Sequence, residues 1–221
     1  MNKIFFFFYI LVFCVVVMIG IISAPTITRA TVGGPTYVYN LKYNPNDESV
    51  YYTEQNQSGK GCPPILSKIS LHTGETSTVF SCDEGFALST DEDFYPAQSV
   101  YNKIEEITKG FKPLTFLNLK ENSIDLDVSF VKDKFFNESD ILLRKNFITW
   151  VYQDGIKTDE FPINGCSVEQ PFSFAGYAIP GFNKKIIILS SAVSDSFEGG
   201  YIREGLHVVN IPEVKDRIHF V

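Results

Sequence analysis

Alternating apolar and polar positions form the main pattern after the first thirty residues, and this pattern predicts strands. It is clearest from Ile124 to Phe130, where apolar residues alternate with Asp125, Asp127 and Ser129. A period of two is typical of a strand with one face buried and the other in water. Further strand patterns occupy 36–43, 50–53, 65–71, 75–80, 114–119, 141–143, 147–152, 156–161, 173–179, 185–190 and 206–211.

One segment has helical rather than strand periodicity. Val100 and Ile104 fall on one face at helical spacing and Gly110 is a natural stop, which predicts a helix over 97–109. The acidic stretch 81–93 before it is expected to be irregular. We therefore predict a mainly β fold, an antiparallel sandwich or propeller-like sheets with one amphipathic helix, preceded by an N-terminal hydrophobic helix.

That N-terminal segment has the composition of an export signal or a membrane anchor. Lys3 precedes an uncharged run over residues 4–22. The run is long enough to approach the thickness of a bilayer core, which favours an anchor, whereas Thr28-Arg29-Ala30 offers small residues at a cleavage site, which favours a signal peptide. Both alternatives remain open. In either case residues 1–30 are separate from a single extracytoplasmic domain, 31–221.

Composition and charge exclude several classes of protein. Of the 221 residues, 44% are hydrophobic and 14% aromatic, too many for a disordered chain. Lys and Arg number 19 against 26 Asp and Glu, for a formal net charge of −7. An acidic chain of this kind is not expected to bind nucleic acid through a broad electrostatic surface.

The cysteines fit an oxidising compartment. Cys14 lies in the apolar run and Cys166 has no evident partner. Cys62 and Cys82 flank two strand patterns joined at Thr73-Gly74, and a hairpin there would bring them across from each other. We expect a Cys62–Cys82 disulfide, with two free buried thiols as the alternative.

A faint internal repeat runs through the chain. A strand, a Pro-containing turn, a second strand, a Gly-containing polar loop and a third strand occur from Tyr43 to Leu71 and again from Ala178 to Ile211. With the Thr73-Gly74-Glu75 connection that follows, the first copy resembles a blade of the WD40-like propeller repeats found in exported bacterial proteins. The resemblance covers about 45 residues and implies a scaffold for binding. A propeller needs about four to eight blades, so a sandwich or a compact mixed antiparallel fold is the alternative.

The candidate catalytic groups are weak. Ser190 or Ser191 could be combined with Asp195 and His207 into a triad, but the Gly-x-Ser-x-Gly elbow is absent from the sequence. Paired carboxylates for glycoside cleavage are a second option, because residues two apart on a strand are about 6.6–7 Å apart.

The carboxylate candidates are Asp125 with Asp127, and Glu198 with Glu204. For Asp125 and Asp127, the solvated face of a strand is the expected role. A group of acidic residues could form a calcium-binding loop, although its spacing matches no EF-hand: Asp83, Glu84, Asp91, Glu92 and Asp93. No metal or cofactor is predicted.

Five tyrosines crowd the first strand patterns: Tyr37, Tyr39, Tyr43, Tyr51 and Tyr52. Some should face outward, where tyrosine suits contacts with sugar or protein, although packing in the core or at its rim is the stronger expectation. The sequence favours an exported or membrane-tethered binding or structural module without catalytic activity. Its expected partner is a cell-envelope protein or glycan, with the membrane contacted through residues 4–22 if they are not cleaved. An extracytoplasmic hydrolase using carboxylates is the alternative.

Overall fold

The computed structural model describes residues 34–56, 62–89, 98–130, 145–165, 172–194 and 201–215. The strands are β1 (Thr36–Asn44), β2 (Ser49–Asn56), β3 (Ile65–Ser70), β4 (Thr76–Phe80), β5 (Lys112–Pro113), β6 (Thr115–Leu117), β7 (Ile124–Phe130), β8 (Lys145–Gln153), β9 (Ile156–Gly165), β10 (Ser173–Ala178), β11 (Lys185–Ser194) and β12 (Tyr201–Asn210), and the helices are α1 (Cys82–Leu88) and α2 (Gln98–Ile107). The prediction of a mainly β fold is confirmed.

Some predictions concern segments beyond the described ranges. The N-terminal hydrophobic helix, the signal or anchor over 1–30 and the strand over 141–143 lie outside the described residues. Neither helix in the described ranges has the length and apolar composition that crossing a bilayer requires.

The first antiparallel meander contains β1 to β4, each paired with the next along the chain. The β1–β2 turn is fixed by Asn44, whose side-chain oxygen accepts the backbone N–H of Asn46 at 3.1 Å. The β3–β4 turn contains Gly74 at φ +71°, a left-handed conformation that favours glycine. This meander is the segment that resembles a propeller blade.

The second meander contains β10, β11 and β12, with the short strand β6 on its outer edge. It coincides with the second copy of the sequence repeat, so both copies fold as antiparallel meanders. The two meanders join in one nine-stranded sheet through β1 and β12, which run parallel with Thr36 opposite Arg203, while β5 pairs with β1. The pairing of β1 with β12 makes this sheet mixed rather than entirely antiparallel.

The third meander is a separate three-stranded sheet, β7-β8-β9. Asp154 and Gly155 form the two-residue β8–β9 turn at φ +53° and +76°, as the sequence predicted. The predicted alternation of β7 is also confirmed, because Ile124 is buried while Asp125 and Asp127 are exposed.

The second meander lies between the other two, and β11 shows why. Ile186, Ile187 and Ile188 are all fully buried. Ile186 and Ile188 pack in a core shared with the third meander, whereas Ile187 packs in a core shared with the first. A strand covered on both faces has a continuous apolar run instead of an alternating one, as the sequence shows here.

The helices cover the opposite face of the first meander. Val100 and Ile104 of α2 pack against Tyr51, Leu66 and Phe80, so the predicted amphipathic helix is confirmed, with its bounds shifted inward.

The expectation of an irregular 81–93 segment is wrong over Cys82–Leu88, and the expectation of only one helix is wrong as well. Ser81 and Glu84 form a capping box that starts α1: the Glu84 backbone N–H donates to the Ser81 hydroxyl, and the Glu84 carboxylate accepts the Ser81 N–H at 2.6 Å.

Candidate functional site

The outward side of the third meander carries the most distinctive group of exposed side chains. On β7, Asp125 and Asp127 face away from the core that Ile124, Leu126 and Val128 help to form. Because neighbouring residues on a strand point to opposite faces, the burial of the even positions places both carboxylates outward.

The central strand β8 contributes an aromatic and aliphatic column to the same face. Phe147 and Val151 point inward and are buried, so Ile148, Trp150 and Tyr152 point outward and are half-buried. Residues directly opposite on paired strands share a face, which fixes three rows across the sheet: Asp125–Tyr152–Lys157, Asp127–Trp150–Glu160 and Ser129–Ile148–Pro162. We call these nine residues the β8 face.

One edge of the β8 face is already ion-paired. Lys157 Nζ lies 2.6 Å from a carboxylate oxygen of Glu160 and 5.3 Å from the centre of the Trp150 ring. The ring thus accepts a cation through its electron-rich face. On the other edge, no described lysine, arginine or histidine forms an ion pair with Asp125 or Asp127. Within the described ranges, the β8 face therefore offers aromatic surface beside two carboxylates that have no ion-pair partner.

The structure brings together two residues of the predicted triad, but in the core. His207 Nε2 lies 2.9 Å from Ser190 Oγ, and that hydroxyl donates to the Gly205 carbonyl at 3.3 Å. The His207 ring stacks on Phe161 at 4.1 Å. Burial lowers the pKa of His207 from 6.5 to about 4. Asp195 lies outside the described residues.

Two observations favour a structural role for the Ser190–His207 pair. Ser190 is only 3% exposed, so a substrate has no access to its hydroxyl in this conformation. The imidazole joins β12 to β9 by ring stacking and to β11 by its polar contact. We interpret the Ser190–His207 contact as a polar link between β11 and β12 within the second meander, and the stacking of His207 on Phe161 as the contact that joins this meander to the third.

Glu204 is also structural. Its carboxylate accepts the backbone N–H of Val38 at 2.7 Å and the hydroxyl of Ser191 at 3.0 Å. The contact with Val38 secures the parallel junction of β1 and β12, and the contact with Ser191 joins β12 to β11. The second candidate carboxylate, Glu198, lies outside the described residues.

Cys62 and Cys82 lie at disulfide distance, with their Cα atoms 5.2 Å apart. The geometric reason differs from the predicted one, because neither residue is in a strand. Cys62 precedes β3, and Cys82 is the first residue of α1. The bridge therefore joins the beginning of the β3–β4 hairpin to the helix that follows it.

The calcium-loop hypothesis gains no support. Asp83 and Glu84 lie in α1, and the Ser81 backbone N–H and hydroxyl lower the pKa of the Glu84 carboxyl by bonding its charged form. Residues 91–93 lie outside the described part. Within the described ranges, no three His, Cys, Asp or Glu side chains converge as metal ligands.

Three of the five tyrosines behave as core residues, whereas Tyr37 and Tyr39 are half-buried. Tyr43, Tyr51 and Tyr52 are between 5% and 7% exposed, because the first meander is covered by the second on one face and by α2 on the other. The aromatic surface lies instead at Trp150 and Tyr152, which sequence reasoning missed. Both faces of β8 are apolar, so only the pairing of β8 with the acidic face of β7 could have identified its outward side.

No protein-family model matches the chain, and no curated protein or solved structure matches it significantly.

Proposed function

We propose that this chain is an extracytoplasmic binding module that holds a cell-envelope partner on its β8 face and catalyses no reaction. The observation that carries the proposal is the outward column of Ile148, Trp150 and Tyr152 beside Asp125 and Asp127. Trp and Tyr are enriched at binding surfaces because each combines a large apolar area with a polar atom.

The proposed location is supported by two features. The uncharged run over residues 4–22 suits an export signal or an anchor. The Cys62–Cys82 pair suits an oxidising compartment, where such bridges persist.

The layered fold suits a rigid support for such a surface. The second meander packs against the first meander on one face and against the third on the other. Rigid strands hold side chains at fixed spacing, and this lowers the conformational entropy lost when a partner binds.

The test is co-sedimentation. The full-length wild-type protein and its variants are each mixed with cell envelopes isolated from its own source, and the fraction that sediments with the envelopes is compared. We expect the double substitution Trp150→Ala/Tyr152→Ala to reduce binding at least about tenfold, as loss of central aromatic contacts does. The matched control is Phe116→Ala/Ile202→Ala, which removes two exposed apolar side chains from the other sheet and should leave binding unchanged. Equal binding by wild type and the Trp150/Tyr152 variant would refute the proposal.

The hydrolase alternative predicts a different result. Asp125 and Asp127 share the outward side of β7, the arrangement that led to the carboxylate hypothesis. If they are catalytic, the wild-type protein releases soluble products from the envelopes, and Asp125→Asn/Asp127→Asn abolishes the release. The binding module releases none.

A further inference from the structure

We infer that the β8 face binds an extended protein segment carrying arginine side chains at alternate positions; this rests on the proposed function of the same face. The β8 face provides three kinds of complementarity for such a ligand. They are the spacing of its carboxylates, its uncompensated charge and its aromatic rings.

The spacing comes from β7. Asp125 and Asp127 are two residues apart on the same side of the strand, and this places them about 6.6–7 Å apart along its axis. An extended ligand lying along β7 repeats its side chains at the same interval. Among the described residues β8 is the only strand paired with β7, so its other edge has no described partner strand.

The charge favours a cationic ligand. Asp125, Asp127 and Glu160 carry three negative charges on the β8 face, and Lys157 compensates one of them through its bond to Glu160. The chain as a whole has a formal net charge of −7, which attracts basic partners at a distance. A neutral sugar would leave this charge uncompensated, whereas arginine neutralises it.

The rings favour arginine. A guanidinium group stacks on an aromatic ring while donating two parallel hydrogen bonds to a carboxylate, which an ammonium group does less well. Trp150 lies opposite Asp127, and Tyr152 lies opposite Asp125, so each row pairs one ring with one carboxylate. The contact of Lys157 with Trp150 shows the same kind of interaction within the chain.

Trp150 provides a direct measurement, because it is the only tryptophan in the sequence. The full-length protein is titrated with a synthetic peptide that alternates serine and arginine, and tryptophan emission is recorded. We expect a saturable change in emission that weakens with added salt. A peptide that alternates serine and glutamine should produce no change at the same concentrations.

The variants assign the effect to the β8 face. Asp125→Asn/Asp127→Asn should weaken binding of the arginine peptide by about tenfold or more and reduce its salt dependence. Glu75→Gln/Asp83→Asn removes the same charge from exposed positions on the first meander and α1. This control should bind within about twofold of wild type. Equal weakening by both variants would overturn the inference, because general charge attraction would then explain the binding.

Other outcomes separate this inference from the proposed function. If a neutral oligosaccharide changes the emission and the arginine peptide does not, the β8 face binds glycan and the inference is wrong. If neither probe changes the emission while Trp150→Ala/Tyr152→Ala still abolishes envelope binding, the inference fails and the proposed function stands. If envelope binding is also unaffected, both fail.

Discussion

The buried imidazole of His207 makes the stability of the fold depend on pH. Its ring lies between Phe161 and Ser190, where burial lowers its pKa from 6.5 to about 4. The folded protein therefore keeps His207 neutral at pH values where the unfolded chain binds a proton. Stability from this group is complete above pH 6.5 and is lost as the pH falls towards 4.

The size of the effect follows from the shift. Each pKa unit corresponds to about 1.4 kcal/mol, so a shift from 6.5 to about 4 amounts to about 3 kcal/mol once both states are protonated. At pH 5, where only the unfolded state is largely protonated, the loss relative to about pH 7.5 is about 2 kcal/mol. That is a large part of the stability of an ordinary domain.

The assay is urea unfolding of wild type and His207→Gln at about pH 7.5 and pH 5. Glutamine retains a polar contact for Ser190 but does not titrate. Because the imidazole no longer stacks on Phe161, the variant is less stable than wild type at about pH 7.5. We expect the wild-type free energy of unfolding to fall about 2 kcal/mol more than that of the variant. His72→Gln is the matched control: it removes an exposed imidazole whose contact with Glu48 lies at the surface, so it should follow wild type to within about 0.5 kcal/mol. Equal losses in wild type and His207→Gln would refute this account.

Three further variants test the packing at β10, the disulfide and the β8–β9 turn. Gly176→Ala should destabilise the fold by about 1–2 kcal/mol, because its Cβ would lie 3.1 Å from the Leu117 backbone oxygen and would displace the Leu119 side chain, whose Cδ2 would be 2.5 Å away; thermal unfolding measures the loss, and an unchanged melting temperature would contradict it. Cys62→Ser/Cys82→Ser should cost about 3 kcal/mol by releasing a loop with a sequence separation of 20, measured by urea unfolding against the wild type under non-reducing conditions; equal midpoints would show that the bridge does not form. Gly155→Ala should cost about 1 kcal/mol because alanine resists φ +76°, and a chemical denaturation series would detect it.

Local patterns predicted the elements well where one face meets water. Alternation identified β7, and the Asp154-Gly155 pair identified the β8–β9 turn, because both signals depend on neighbours in sequence. Helix α1 could have been predicted from the Ser81 and Glu84 spacing, since Ser followed three residues later by Glu is a capping signal. The acidic character of the segment obscured it.

The stacking of the meanders could not be predicted in this way. The run Ile186–Ile188 shows that β11 is buried on both sides, but nothing near it in sequence indicates which segments cover it. Prediction of the candidate site required the same kind of information, namely which strands lie next to each other in the fold. Trp150 is outward only because β8 pairs with β7 in a register that places it opposite Asp127.

The pairing of β1 with β12 has a consequence for the order of assembly. The Glu204 carboxylate holds the Val38 amide across 166 positions of sequence, so this contact closes one of the longest loops in the described chain. The β1–β4 meander can form from local contacts as soon as its residues emerge. β5 then pairs with Lys42 and Tyr43, but the beginning of the β1 edge stays open until β12 arrives. During that interval the nascent chain exposes a strand edge that another copy could occupy, and slow synthesis of the last strands would prolong the exposure.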